Sequence, residues 1–297
     1  MGELAGLLTS VFWAMSSVFF TQGGRRIGSI NVNRIRLFFA VFLVMLAHLV
    51  TLGTPFPLNA GYQRWMWLGL SGIVGLALGD SLTFQAYVLI GNRLGTLMVS
   101  LSPVVGVLIG WTLLGEHLSL AEIGGIALSI GGVALVVMKG HDRNGLPHDR
   151  RHYIFGILFG LGGAACQAIG LVLAKQGLAG NYPAISGLMI RMLISLIVIW
   201  AIAVVMGQVR STLAAARDGV ALRAVGSGAV VGPFIGVWLS LVAVQYTYVG
   251  IASTLTSLAP IFVLPISRFI FKEKVSSWAV IGTLIALAGV AVIFLAA

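Results

Sequence analysis

Charge is scarce in this chain. Only 9% of its 297 residues are charged, eight of them acidic, while 59% are hydrophobic, against about 25% charged in an ordinary soluble protein. With a mean hydropathy of +1.04, a soluble fold is excluded and the chain reads as an all-α, multi-pass integral membrane protein. Cysteine is almost absent. Cys166 is the only one and lies in an apolar run, so no intrachain disulfide and no thiolate metal site can form. Catalytic signatures are missing too: there is no H-E-x-x-H, no G-x-S-x-G and no G-x-x-x-x-G-K-S/T. The five histidines, His48, His117, His141, His148 and His152, fall at span ends or in loops without metal-ligand spacing. The sequence therefore implies no enzyme, no metal and no cofactor. Met1-Gly2-Glu3 precedes the first apolar run without a basic stretch, so that run is expected to be a retained span.

What the chain has in abundance is apolar sequence. Ten runs approach the roughly 20 residues a membrane helix needs, at about 4–22, 32–52, 65–90, 94–114, 119–138, 153–178, 183–206, 223–248, 250–271 and 277–296. Short turns are expected at Gly91-Asn92-Arg93 and Val249-Gly250-Ile251. Ser100-Leu101-Ser102-Pro103 and Ser257-Leu258-Ala259-Pro260 lie 157 positions apart, each followed thirteen residues after its Pro by Glu116 or Glu273. At that offset Gly125 meets Gly282, and Gly132-Val133-Ala134 meets Gly289-Val290-Ala291. The chain is an internal duplication, with a first repeat over residues 1–140, a polar linker over 141–152 and a second repeat over 153–297. Five spans per repeat is an odd number, so the second copy is expected to enter the membrane inverted. A Pro in the middle of a membrane helix in both copies points to a binding site between the halves.

The net charge of +10 does not signal nucleic acid here, because the basic residues fall in short loops that orient the chain. The loops after the first, third, fifth, seventh and ninth spans hold most of them, which predicts that face to be cytoplasmic and both termini to be outside. The same loops could bind anionic lipid head groups. Arg34 and Arg36 are counted with that face, although both also fall within the second apolar run, and Arg191 is counted as a residue near a span end.

Asp80 is the only acidic residue well inside a span. A carboxylate at depth is costly and faces a cavity or a partner, so Asp80 is the candidate for proton coupling or for anchoring a substrate ammonium. The bland alternative is a carboxylic acid bonded to a neighbouring helix. Trp13, Phe84 and Trp238 could enclose an apolar side chain, while Ser17, Asp80, Ser100, Gln167, Ser240 and Ser257 offer hydrogen bonds. Ser100 and Ser257 could equally satisfy carbonyls beside Pro103 and Pro260. Gly69, Gly75 and Gly79 recur as Gly226, Gly232 and Gly236. These glycines serve either close helix packing or bending, with Pro103, Pro260, Gly79 and Gly236 as hinge candidates.

Ala243-Val244-Gln245-Tyr246-Thr247, the run Leu255 to Pro260, Lys272-Glu273-Lys274 and Ile281-Gly282, with the parallel Leu97 to Pro103, Gly115-Glu116 and Gly124-Gly125, resemble the two repeats of the EamA family of the drug/metabolite transporter superfamily. The resemblance covers the whole chain. It implies ten transmembrane helices as two inverted five-helix repeats around a central cavity lined by helices 1, 3, 4, 6, 8 and 9, with 5 and 10 peripheral. It also implies a secondary exporter of small metabolites in the inner or plasma membrane of a bacterium, with aromatic amino-acid exporters as close candidates. Lys272 departs from the small residue usual there, and termini outside depart from the orientation described for many relatives. The expected partners are a small-molecule substrate and membrane lipid, without nucleic acid, and a monomer could suffice. Rival readings are an uncoupled facilitator, an exporter of another metabolite or drug class, and a membrane subunit with no transport of its own.

Overall fold

The computed structural model describes residues 2–114, 119–139, 150–180, 182–246, 255–269 and 275–296, and all regular structure among them is helical. Gly115-Glu116, most of the 141–152 linker, Val249-Gly250-Ile251 and Lys272-Glu273-Lys274 lie outside the described residues.

Helix α1 (Gly2–Ile27) turns into α2 (Ser29–Leu52) through the single residue Gly28. Its φ of 83° is open to glycine but disfavoured for a residue with a Cβ. Along α2 the apolar pattern runs both ways: Leu37, Ala40 and Val44 are buried, while Phe38, Phe42, Leu46 and Leu49 form an exposed stripe. A stripe of that size is tolerated where the surroundings are lipid.

Helix α3 (Tyr62–Gly72) continues without a break through a π-helical segment, Ile73–Gly79, into α4 (Asp80–Val99). The chain then doubles back within α4 at Gly91, whose φ is 80°. A methyl group on Gly95 would lie 3.4 Å from the Tyr87 amide nitrogen, whereas eight residues of straight helix span about 12 Å. This reversal falls at the turn expected from Gly91-Asn92-Arg93. Helix α5 (Ser102–Leu114) follows a turn at Ser100-Leu101, closed by the Leu101 amide donating to the Met98 carbonyl at 3.1 Å.

Helices α6 (Leu120–Lys139), α7 (Arg150–Gly177), α8 (Ala184–Val205), the short α9 (Val209–Ala215) and α10 (Gly219–Ala229) come next. A second π segment, Val230–Gly236, leads into α11 (Val237–Tyr246). Helices α12 (Ala259–Phe269) and α13 (Ser277–Ala296) complete the described chain. A turn at Ser257-Leu258 precedes α12, closed by the Leu258 amide on the Leu255 carbonyl at 3.3 Å.

By length and composition seven helical stretches among the described residues can cross a membrane. The expected fourth and ninth spans are divided, because the two Ser-Leu turns cut them. Pro103 and Pro260 therefore sit as second residues of fresh helical segments and not in the middle of continuous helices. The physical reason is local: proline lacks the N–H, clashes with the carbonyl four residues back and pushes its predecessor out of the helical region. In the first turn of a new segment that N–H is not needed.

The 157-residue register survives in the backbone. It relates α3 to α10, one π segment to the other, the starts of α4 and α11, the two Ser-Leu turns, and the starts of α6 and α13. Helices α6 and α13 meet through glycines. A methyl group on Gly132 would lie 2.6 Å from the Gly282 carbonyl oxygen, and one on Gly289 would lie 2.6 Å from that of Gly125. Between these contacts the Ser129 hydroxyl donates to the Ala286 carbonyl at 3.2 Å. The order of contacts makes the pair antiparallel, and each partner presents the repeat-equivalent residues of the other.

Candidate functional site

The π segment Ile73–Gly79 positions the site. Widening the helix to i→i−5 bonding, as in the Asp80 amide donating to the Gly75 carbonyl, removes neighbouring carbonyls from their usual partners. Side chains from other helices take them. Asn33 Nδ2 of α2 donates to the Leu76 and Ala77 carbonyls at 3.1 and 3.0 Å and to Ser81 Oγ at 2.7 Å. Arg36 of α2 donates to the Leu76 carbonyl at 3.3 Å and to Asn33 Oδ1 at 2.8 Å.

The first residue after the segment is Asp80, 9% exposed. Its Oδ2 accepts from Arg36, which is 2% exposed, in a buried ion pair. Its Oδ1 accepts from Gln167 Nε2 of α7 at 2.8 Å. Arg36 lies over the Phe84 ring with 5.0 Å to its centroid, and Phe84 packs on Phe20 at 4.7 Å. A second arginine, Arg191 of α8, is 4% exposed and within electrostatic reach of Asp80. Its Nε is sealed without a hydrogen-bond partner, and its guanidinium makes no ion pair among the described residues.

Glycines let these elements close. A methyl group on Gly170 of α7 would lie 3.0 Å from Gly75 Cα, and one on Gly79 would lie 2.9 Å from Cys166 Cβ. Cys166 is thus a small residue at a helix seam. The result is a polar column along the π segment, from Arg191 beside Gly75, through Gln167, to Asp80 and Arg36. Helices α2 and α4 belong to the first copy; α7 and α8 belong to the second.

Of the residues singled out from sequence, Asp80, Gln167 and Phe84 come together here. Trp13, Ser17, Trp238 and Ser240 do not: Trp13 and Trp238 lie at the second π segment, with Ser17 on α1 and Ser240 on α11. There a methyl group on Gly236 would lie 2.8 Å from Trp13 Cδ1, and Trp238 tilts against Phe234 with 6.0 Å between centroids. Ser17, Ser100 and Ser240 each donate to the carbonyl three residues back, all at 2.7 Å. Ser100 and Ser257 lie at the helix breaks. Asn33, Arg36 and Arg191 were not singled out. The signal was present, since an arginine within an apolar run is as costly as an aspartate, but it was spent on assigning orientation. Arg36 and Arg191 lie about 10 Å inside α2 and α8 from the helix starts.

Two shallow cavities open at the end where α2 meets α3 and α7 meets α8. One, about 390 Å³, is lined by His48, Thr54, Pro55, Tyr182 and Ser186 among others; the other, about 580 Å³, is lined by Arg64, Trp67 and Gln176 among others. Neither includes the column. At the opposite end Arg26 pairs with Asp218 at 2.8 Å, and Arg34 of α2 donates to Thr212 at 2.9 Å and Gln208 at 2.6 Å.

The model of the EamA-like transporter family matches residues 1–138 and 154–295. The chain belongs to this family. An EamA protein is a membrane transporter of the drug/metabolite type, which accounts for the apolar helices and for the tandem match. One solved crystal structure aligns over 100% of this chain and 96% of its own, with a TM-score of 0.66 and 19% identity. At that identity it shows the shared fold alone. No curated protein matches the chain significantly.

Proposed function

We propose that this EamA protein is a secondary transporter that exports amino acids, aromatic ones among them, or similar small metabolites across the inner or plasma membrane by alternating access. In this reading ten spans form two five-helix halves, residues 1–140 and 153–297, inserted in opposite senses. The observation that carries the proposal is the Arg36–Asp80–Gln167–Arg191 column, built from both halves and buried at membrane depth. The antiparallel α6–α13 pair supports opposite insertion. The breaks before Pro103 and Pro260, and the π segments ending at Gly79 and Gly236, supply places where helices can bend as one end closes and the other opens. Trp13, Phe84 and Trp238 are the apolar contacts proposed for the substrate; Ser17, Asp80, Ser100, Gln167, Ser240 and Ser257 are the polar ones.

The test is uptake of radiolabelled aromatic and aliphatic amino acids into proteoliposomes preloaded with unlabelled substrate. Saturable exchange of some members is the expected result. No exchange across the panel would sink the amino-acid assignment.

Proton coupling through Asp80 is the second reading. The carboxylate is already bonded to Arg36 and Gln167, which favours uncoupled exchange. Counterflow with and without a pH gradient separates the two. An Asp80→Asn protein that still accumulates substrate against its gradient removes Asp80 from any coupling role.

A further inference from the structure

The polar column is not electrically balanced. It holds two arginines and one carboxylate, and that carboxylate is committed on both oxygens, to Arg36 and to Gln167. Arg36 is further tied to Asn33 and the Leu76 carbonyl and lies against the Phe84 ring. Arg191 has none of this, yet is buried to the same degree. An unpaired guanidinium at membrane depth is expensive, and such residues face partners or pathways.

The helix surface beside it carries no side chain, with Gly170 Cα of the facing helix 3.7 Å from a methyl group built on Gly75. Gly75 presents no side chain to Arg191: a methyl group there would meet Arg191 Nη2 at 3.5 Å and Gln167 Oε1 at 4.0 Å, in ordinary contact. The planar guanidinium fork matches a carboxylate in two parallel hydrogen bonds.

Building on the transport reading, we propose that Arg191 receives the carboxylate of the transported molecule beside Gly75. The carried species is an amino acid held by its carboxylate.

Matched sets test this in proteoliposomes holding the full chain: phenylalanine, its amide and phenethylamine; leucine, its amide and isopentylamine. The acids exchange at least about tenfold faster than the amides and amines, the fold-change expected for one hydrogen bond to a charged group. Arg191→Gln loses acid exchange by a similar or larger factor and Arg191→Lys keeps part of it. Arg191→Gln also melts no lower than wild type in detergent, whereas Arg36→Gln melts lower, because only Arg36 has protein partners to lose. Amides or amines exchanged as fast as acids overturn the carboxylate site and leave the transporter standing. An Arg191→Gln protein that exchanges acids normally, or is destabilised as much as Arg36→Gln, also overturns it. Wild-type protein that exchanges none of the six compounds overturns the amino-acid reading and this inference together.

Discussion

The two π segments occupy the same register in the duplicated chain and live in opposite surroundings. In Ile73–Gly79 the Leu76 and Ala77 carbonyls accept from Asn33 and Arg36, Gln167 adds a bond to the Gly75 carbonyl, and the next residue is the ion-paired Asp80. In Val230–Gly236 the helix carries Pro233, the next residue is Val237, and the neighbours are Ser16, Phe20 and Trp13 of α1. The polar help visible there is the Thr9 hydroxyl on the Gly236 carbonyl at 3.3 Å. Each copy thus keeps one backbone device, but maintains it with different chemistry. Both copies keep the π segment, with charged surroundings in one and apolar surroundings in the other.

The sharpest way to break this contrast is to remove the charge that balances the first segment. Asp80→Asn leaves Arg36 buried without its carboxylate partner, and is expected to cost about 3–5 kcal/mol, read as a lowered thermal midpoint in detergent. A substitution of similar size at Val237, Val237→Leu, should leave the midpoint nearly unchanged. Equal losses at the two positions would end the distinction.

Removing the carbonyl partners gives the next effect. Asn33→Leu orphans carbonyls of the first segment and is expected to destabilise by about 1–3 kcal/mol, whereas Thr9→Val, whose hydroxyl also bonds the Ala5 carbonyl at 2.8 Å, should cost under about 1 kcal/mol. Chemical or thermal denaturation of both proteins tests the order.

Packing gives a contrast of the opposite sign. A methyl group on Gly232 would lie 2.7 Å from Ser16 Cβ, while one at the equivalent Gly75 meets nothing nearer than 3.5 Å. Gly232→Ala is expected to cost about 1–2 kcal/mol as an overpacked contact, and Gly75→Ala less. Gly75→Ala should instead slow transport, since it sets a methyl group against Arg191 Nη2 at 3.5 Å. A Gly75→Ala protein with wild-type exchange and lowered stability would reverse the assignment.

The smallest effect lies outside the membrane segments. The backbone amide of Ala221, then Arg26, holds the Asp218 carboxyl below its usual range. A lowered folded-state value means that its contribution is present above the unfolded value, about 3.9, and is lost as pH falls through the folded one. The difference in thermal midpoint between wild type and Asp218→Asn should therefore be constant near neutrality, shrink as pH falls below about 4 and vanish below the folded-state value.

Part of the site is legible in the chain. Asp80 stands out because no other acid lies deep in a span, and Gln167 and Phe84 stand out as polar and aromatic residues in apolar runs. Their assembly is not legible, because Gln167 is 87 positions from Asp80 and nothing local links them. Asn33, Arg36 and Arg191 escape for a different reason: basic residues near helix ends serve orientation as readily as they serve a site, and only the buried contacts distinguish the two roles. The serines illustrate the converse. Their spacing offers either substrate contacts or backbone bonds, and the bonds they make here are to their own helices.

Sequence by itself determined what local physics controls: membrane residence from hydropathy, the 157-residue duplication, the reversal at Gly91, and the matched positions of Pro103 and Pro260. Tertiary structure decided the rest. Where those prolines break the chain, which carbonyls the π segments release, and which arginine finds a carboxylate all depend on helices brought together from both copies. A buried charge is settled by the partner that reaches it, and that partner lies on another helix.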